Sequence, residues 1–228
     1  MKSVRIKLAV LTSIFLSISG ATSAQERFVR PVDDAKLNPS FLAFRTKLIS
    51  AAERKDSQFI LSILDPKIEL SFGGDAGIPA FKRIWKIDSK NSEFWAAFLQ
   101  VIKNGGQFTG EGATRLNLFA APYPHTAWPD DLDGFEHSVI FGNNVNLRKE
   151  PNMNAEVVTR LSYNVVRIES ETVPKSGRSE YPGWRQVTTL GGLRGFVKQE
   201  FVRSPLDYRA GFERKRGVWK MIFFIAGD

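Results

Sequence analysis

Residues 139–151 read Val-Ile-Phe-Gly-Asn-Asn-Val-Asn-Leu-Arg-Lys-Glu-Pro, and this stretch decides how the rest of the chain is divided. Its second half alternates, so that Val145 and Leu147 would lie on one face of a strand and Arg148 on the other. Pro151 has no N–H group to give to a neighbouring strand, so pairing is expected to stop there. The stretch therefore predicts the first strand of a β-rich unit.

Further strand patterns follow it closely. The pair Gly191-Gly192 is typical of a tight hairpin, whereas the polar segment 172–182 predicts a long loop. Five short strands without an intervening helix predict a small β-barrel over residues 138–204. Apolar alternation predicts the four strands after the first at residues 156–161, 165–169, 183–187 and 193–197.

Several landmarks in this segment resemble those of the bacterial SH3-like (SH3b) domain family. They are Asn146-Leu147-Arg148 before Pro151, Gly183-Trp184, and Gly195-Phe196-Val197 before a short turn. The segment departs from the family at two positions, because the family often has Trp in place of Phe196 and glycine in place of Glu150.

The resemblance implies a module that binds rather than catalyses, with cell-wall peptides as a recurring target. It also implies a surface groove, and the alternative is that Trp184 is a plain core residue and Arg148 a solvated strand residue. The candidate ligand-binding residues are Arg148, Tyr181, Trp184 and Phe196.

Residues 25–137 predict a helix-rich α+β domain. Its polar start, residues 25–36, is expected to be a loose arm. Asn38 and Asp56 are residue types that cap helix N-termini, and the apolar spacing after each of them predicts a helix. Two further helices are expected after residues 77 and 92.

Two strands are expected in this domain, at residues 67–72 and 115–120. In the first, alternation would turn Ile68, Leu70 and Phe72 inward. The glycine-rich turn after it lacks the Lys-Ser/Thr ending of a phosphate-binding loop, so we interpret it as a plain turn.

The end of the chain, residues 206–228, does not fit the barrel. Residues 218–225 are apolar on both faces, as in a strand buried inside a layered domain. We therefore expect residues 205–228 to complete the domain of residues 25–137 with a β-hairpin, so that the barrel is an insertion. With the preceding helices, Gly217-Val218-Trp219-Lys220 gives a weak resemblance to the nuclear-transport-factor-2-like fold. A binding site would then be expected in the cleft between the two units.

The Pro-rich loop 122–137 holds both histidines of the chain together with several carboxylates. His125, Asp133 and His137 are weak candidates for a metal site, and the loop suggests an alternative function as a metal-dependent or acid–base enzyme. No HExxH-like spacing is present. We therefore expect that the protein is not an enzyme and that it holds no cofactor.

Residues 1–24 have a basic start, an apolar core and a small-residue cleavage site before Gln25, which predicts a secretory signal peptide. The mature protein would be periplasmic or secreted, and no later stretch is apolar enough to span a membrane. The chain has no cysteine, which excludes disulfides and thiol chemistry.

The chain carries a formal net charge of +8. Three of its basic residues lie in the predicted leader, which leaves about +5 for the remainder. A nucleic-acid-binding protein would present a clustered basic stripe, which is absent from the sequence. The partners expected are therefore a peptidoglycan peptide or another envelope protein.

Overall fold

The computed structural model describes residues 25–169 and 181–228. The predicted leader and most of the loop predicted at residues 172–182 lie outside these ranges. Within the described ranges, we find no helix with the length and apolar content that a membrane span requires.

The described chain is a mixed α+β structure with two sheets, which confirms the predicted class in its general form. The helices are α1 Pro39–Glu53, α2 Ser57–Ile63, α3 Gly77–Trp85, α4 Phe94–Ile102 and α5 Tyr123–Thr126. The strands are β1 Leu64–Glu69, β2 Gln107–Phe108, β3 Leu118–Ala121, β4 His137–Ile140, β5 Val145–Arg148, β6 Val157–Leu161, β7 Val165–Ile168, β8 Trp184–Thr189, β9 Arg194–Lys198, β10 Val202–Arg203, β11 Arg209–Lys215 and β12 Val218–Ile225.

The first sheet has five strands in the order β1-β12-β11-β3-β2. The C-terminal hairpin β11–β12 lies at its centre: β12 runs parallel to β1, and β11 runs antiparallel to β3. Met221 and Phe224 of β12 are fully buried, together with many side chains of α1, α3 and α4. The last strand of the chain is therefore part of the core that the N-terminal helices cover.

Local sequence signals account for the start of α1 and α2. The side chain of Asn38 accepts hydrogen bonds from the backbone N–H groups of Ser40 and Phe41, and that of Asp56 accepts one from Phe59. Both predicted N-caps are confirmed. Phe41, in the first turn of α1, packs its ring 4.2 Å from that of Phe119, measured between centroids, and this contact fixes the helix on the sheet.

Two strand predictions of this region are wrong in part. Strand β1 ends at Glu69, because the backbone N–H of Leu70 donates to the carbonyl of Asp75 in the turn that follows. As a result Phe72 is 57% exposed instead of inward. The segment 112–117 is a 3-10 helix, so the second predicted strand begins only at β3.

The second sheet has seven strands in the order β10-β4-β7-β8-β9-β5-β6, all antiparallel. The stretch 139–151 supplies most of β4 and all of β5, separated by a turn in which Asn144 has a left-handed φ of 55°. Val145 and Leu147 are buried, which confirms the predicted alternation. No ladder among the described residues joins β10 to β6, so the sheet is open rather than a closed barrel.

The segment that the sequence predicted as a loose arm is ordered and hydrogen-bonded, which corrects that prediction. We call residues 26–34 the N-terminal strap. The carboxylate of Glu26 accepts hydrogen bonds from the side-chain amide of Asn164 and the backbone N–H of Gly191, both at 3.0 Å. The backbone N–H of Val29 donates to the carbonyl of Tyr163. The first half of the strap is thus bound to the turns of the second sheet.

The second half of the strap is bound to the end of α4 and the start of β2. The backbone N–H of Gly106 donates to the carbonyl of Val32, and that of Asp34 donates to the carbonyl of Gly106. A side chain at Gly105 could not be accommodated, since a Cβ there would lie 2.2 Å from the carbonyl oxygen of Val32. The strap is therefore hydrogen-bonded to turns of the second sheet at its start and to the residue before β2 of the first sheet at its end.

We expect Gly105→Ala to lower the free energy of unfolding by about 3 kcal/mol, through left-handed strain and the collision with Val32. Gly112→Ala is the matched control, because Gly112 has a similar φ of 52° but no atom lies within 4 Å of the place that its Cβ would take. The control is expected to cost only about 1 kcal/mol. Urea unfolding followed by circular dichroism measures both, and equal losses would contradict the role given to the strap.

Candidate functional site

Two depressions of the surface are lined by predicted site residues, and a third lies beside the strap. We call them the module groove, on the second sheet; the histidine hollow, beside α5; and the junction cleft, between the strap and the two sheets. Each is described from the residues that build it.

The module groove has a volume of about 220 Å³ and contains two of the four candidate ligand-binding residues. Arg148 and Trp184 line it, whereas Tyr181 and Phe196 do not. The rings of Tyr181 and Phe196 pack edge to face on each other, with centroids 4.9 Å apart. Trp184 and Phe196 are both largely buried, so a substantial part of their role is packing.

The polar groups of the module groove are positively charged or neutral. Arg148 donates from Nη1 to the carbonyl of Ala155 at 2.7 Å, which holds the loop after β5. The Nζ atom of Lys198 lies 5.1 Å from the centre of the Trp184 ring, a cation–π contact. No carboxylate is among the described lining residues, which are Asn143, Asn144, Val145, Asn146, Arg148, Met153, Trp184, Lys198 and Phe201.

The histidine hollow brings together two of the three weak metal candidates. His125 and Asp133 line it together with Arg209, while His137 lies on β4 with its Nδ1 3.0 Å from the backbone carbonyl oxygen of Asp133. Across residues 25–169 and 181–228, no group of three or more His, Asp or Glu side chains is arranged to hold a metal ion. The charged side chains that line the hollow are the guanidinium of Arg209 and the carboxylates of Asp133 and Asp228.

Burial lowers the pKa of His125 to about 4, and the positive charge of Arg209 acts in the same direction. The imidazole is therefore neutral at neutral pH. Desolvation also lowers the pKa of Arg209, although the carboxylate of Asp228 partly opposes this. The hollow thus combines one cationic group whose charge is partly shielded from solvent, the carboxylates of Asp133 and Asp228, and one neutral histidine.

The junction cleft has a volume of about 370 Å³. The strap forms one wall, and the end of α4, the start of α5 and the turns around β5 form the others. Its lining residues are Pro31, Val32, Asp33, Lys103, Asn104, Gly105, Tyr123, Phe141, Gly142 and Tyr163.

Two tyrosines give the junction cleft its chemistry. Tyr123 is only 3% exposed and stacks on Phe141, with ring centroids 5.5 Å apart and planes 14° from parallel. Burial raises the pKa of Tyr123, so its hydroxyl keeps its proton at neutral pH. Tyr163 has a φ of 60°, a left-handed conformation that costs a bulky residue about 1–3 kcal/mol.

The charged residues of the junction cleft are already paired. Both carboxylate oxygens of Asp33 accept from Arg45, at 2.8 and 2.6 Å, and this contact helps to lower the pKa of Asp33 against the effect of burial. Lys103 forms an ion pair with Glu53. The cleft therefore has aromatic and neutral polar groups but no uncompensated charge among its described residues.

Reasoning from the sequence missed both tyrosines. Tyr163 lies in a predicted turn, Ser162-Tyr163-Asn164, where a bulky aromatic residue is an unusual choice, and Tyr123 stands between two prolines. These two local oddities were the available signals. Their meeting in one cleft depends on long-range packing.

In comparisons with known proteins, no protein-family model matches this chain and no curated protein is significantly similar to it. The groove, the hollow and the cleft are therefore interpreted from their own geometry.

We expect His125→Gln to make the free energy of unfolding depend less on pH on the acid side of neutrality. The unfolded chain binds a proton at this histidine near pH 6.5, whereas the folded chain binds it near pH 4. The unfolded state therefore holds more protons between these values, and stability falls as pH falls from about 6.5 to 4. The difference between the two proteins in unfolding free energy should change by roughly 2–3 kcal/mol from pH 7 to pH 4. Parallel profiles in urea unfolding would contradict the burial of His125.

Proposed function

We propose that this protein is an exported binding protein, in which residues 138–204 form an SH3-like module, built on the open second sheet, that binds a peptide of the cell wall. The observation that carries the proposal is the module groove, where Arg148, Lys198 and Trp184 meet three asparagines without a carboxylate. The proposal includes removal of residues 1–24 on export.

The positions of the family landmarks support this proposal. Arg148 ends β5, Trp184 begins β8, and Phe196 lies in β9 opposite Arg148. A 3-10 turn at Gln199–Phe201 then leads into β10, as the resemblance implies. Antiparallel pairing of β8 with β9 and of β9 with β5 brings these landmarks onto three adjacent strands.

The chemistry of the groove suits an acidic peptide. Arginine and lysine bind carboxylates through charge-assisted hydrogen bonds, and asparagine amides can both donate to and accept from a peptide backbone. The sequence of residues 138–204 holds ten Lys or Arg and six Asp or Glu, so an anionic partner would be attracted to the module. Cell-wall stem peptides carry free carboxylates and fit this description.

A binding role is preferred to the alternative of an enzyme that uses the Pro-rich loop. His125 is partly buried and neutral next to Arg209, and the ring of His137 contacts the backbone carbonyl of Asp133 and does not line the hollow. No observation on the described residues favours a catalytic constellation there.

The test is retention of residues 25–228 on purified cell-wall sacculi. Lys198→Gln is expected to weaken retention about fivefold at low salt, because one ion pair at a partly exposed site contributes about 1 kcal/mol. Lys82→Gln removes the same charge from the exposed side of α3 and is expected to leave retention unchanged.

Absence of retention at low salt would overturn the cell-wall proposal. In that case, capture of an acidic envelope protein that depends on Lys198 would favour the protein partner instead. Equal retention of the Lys198→Gln variant and the unsubstituted protein would overturn the assignment to the module groove.

A further inference from the structure

The junction cleft contains hydrogen-bonding groups that the protein itself leaves unused. The hydroxyl groups of Tyr123 and Tyr163 have no hydrogen-bond partner among the described residues, although Tyr123 is only 3% exposed. Asn104 donates from its side-chain nitrogen to the carbonyl of Gln100 at 2.6 Å, which leaves its side-chain oxygen as an acceptor. Two hydroxyl donors and one amide acceptor thus line the cleft without hydrogen-bonding to one another.

The same cleft has no charge to offer a ligand. Asp33 is held by Arg45 and Lys103 by Glu53, so a carboxylate or a phosphate would be repelled by Asp33 and would compete with Glu53 for Lys103. These pairs are partly exposed, so each contributes only about 1 kcal/mol or less, but together they leave no unpaired cation among the described lining residues for an anion to bind. A neutral ligand with several hydroxyl groups fits this lining better than an anion does.

The conformation of Tyr163 points in the same direction. A left-handed φ is rare for a bulky residue, and asparagine or glycine would adopt it more easily. The turn nevertheless presents a tyrosine at the cleft: its backbone N–H donates to the carbonyl of Gly142, and its carbonyl accepts from the N–H of Val29. Backbone strain of this kind is found at functional sites, where it holds a side chain in a required position.

We infer that the junction cleft is a binding site for a neutral sugar ring. The hydroxyls of Tyr123 and Tyr163 and the side-chain oxygen of Asn104 would bind sugar hydroxyls, while the apolar parts of Val32 and the tyrosine rings contact the C–H face. Its volume of about 370 Å³ lies in the range of about 300–1,000 Å³ typical of small-molecule sites. A mono- or disaccharide is therefore the expected ligand.

This site is distinct from the module groove and does not depend on the function proposed for it. No residue lines both. The sugar could come from the glycan of the cell wall or from a free neutral saccharide, and both share the hydroxyl-rich ring that the cleft recognises.

The test uses isothermal titration of residues 25–228 with chitobiose, an N-acetylated disaccharide, and with maltose, a plain one. Tyr123→Phe and Tyr163→Phe each remove one hydroxyl and are expected to weaken binding about fivefold. Tyr208→Phe is the matched control, since Tyr208 stacks on Phe224 outside the cleft, and it is expected to bind normally. Binding of chitobiose alone would support a cell-wall glycan as the source, and binding of maltose alone a free saccharide.

Thermal unfolding separates binding from folding. Loss of a hydroxyl that has no partner within the protein does not destabilise the fold, so Tyr123→Phe is expected to unfold at the same temperature or higher. Absence of binding of both disaccharides at about 10 mM would overturn the inference. Equal weakening by all three Tyr→Phe substitutions would also overturn it, whatever happens at the module groove.

Discussion

The carboxylate of Glu26 fixes the start of the strap on the second sheet, because it accepts hydrogen bonds from two separate turns of that sheet. One of these turns contains Tyr163, whose carbonyl accepts from Val29. Val29 is buried against Tyr123, Val139 and Val165, a small apolar cluster apart from the two main cores. Hydrogen bonds of the strap and this cluster together fix the walls of the junction cleft.

A buried arginine supports the cleft from the other side. Arg203 donates from Nη2 to the carbonyl of Tyr208 at 2.7 Å and lies 5.6 Å from the centre of the Phe141 ring. Desolvation lowers the pKa of Arg203, although the carboxylate of Asp207 opposes this. Because Tyr123 stacks on the same Phe141 ring, the arginine, phenylalanine and tyrosine form a rigid stack. The hydroxyl of Tyr123 is therefore positioned before any ligand arrives, which lowers the entropic cost of binding.

Sequence reasoning succeeded where a short stretch contains its own signal. The caps at Asn38 and Asp56 and the alternation of Val145 with Leu147 depend on neighbours within a few residues, and all were confirmed. It failed at the strap, whose contacts are distant along the chain, since Glu26 pairs with Asn164, 138 residues away. Of the candidate groove, Arg148 and Trp184 were placed together, whereas Tyr181 and Phe196 turned toward each other.

The stretch that begins the second sheet also links the two proposed sites. Phe141 and Gly142 line the junction cleft, and Asn143, Asn144 and Val145 line the module groove. Phe141 and Asn143 are two residues apart, which a chain spans in about 7 Å at most. A sugar in the cleft and an acidic peptide in the groove would thus be close neighbours. Cell-wall polymers carry both groups on one molecule, and joining two weak contacts raises the effective concentration of the second once the first has formed.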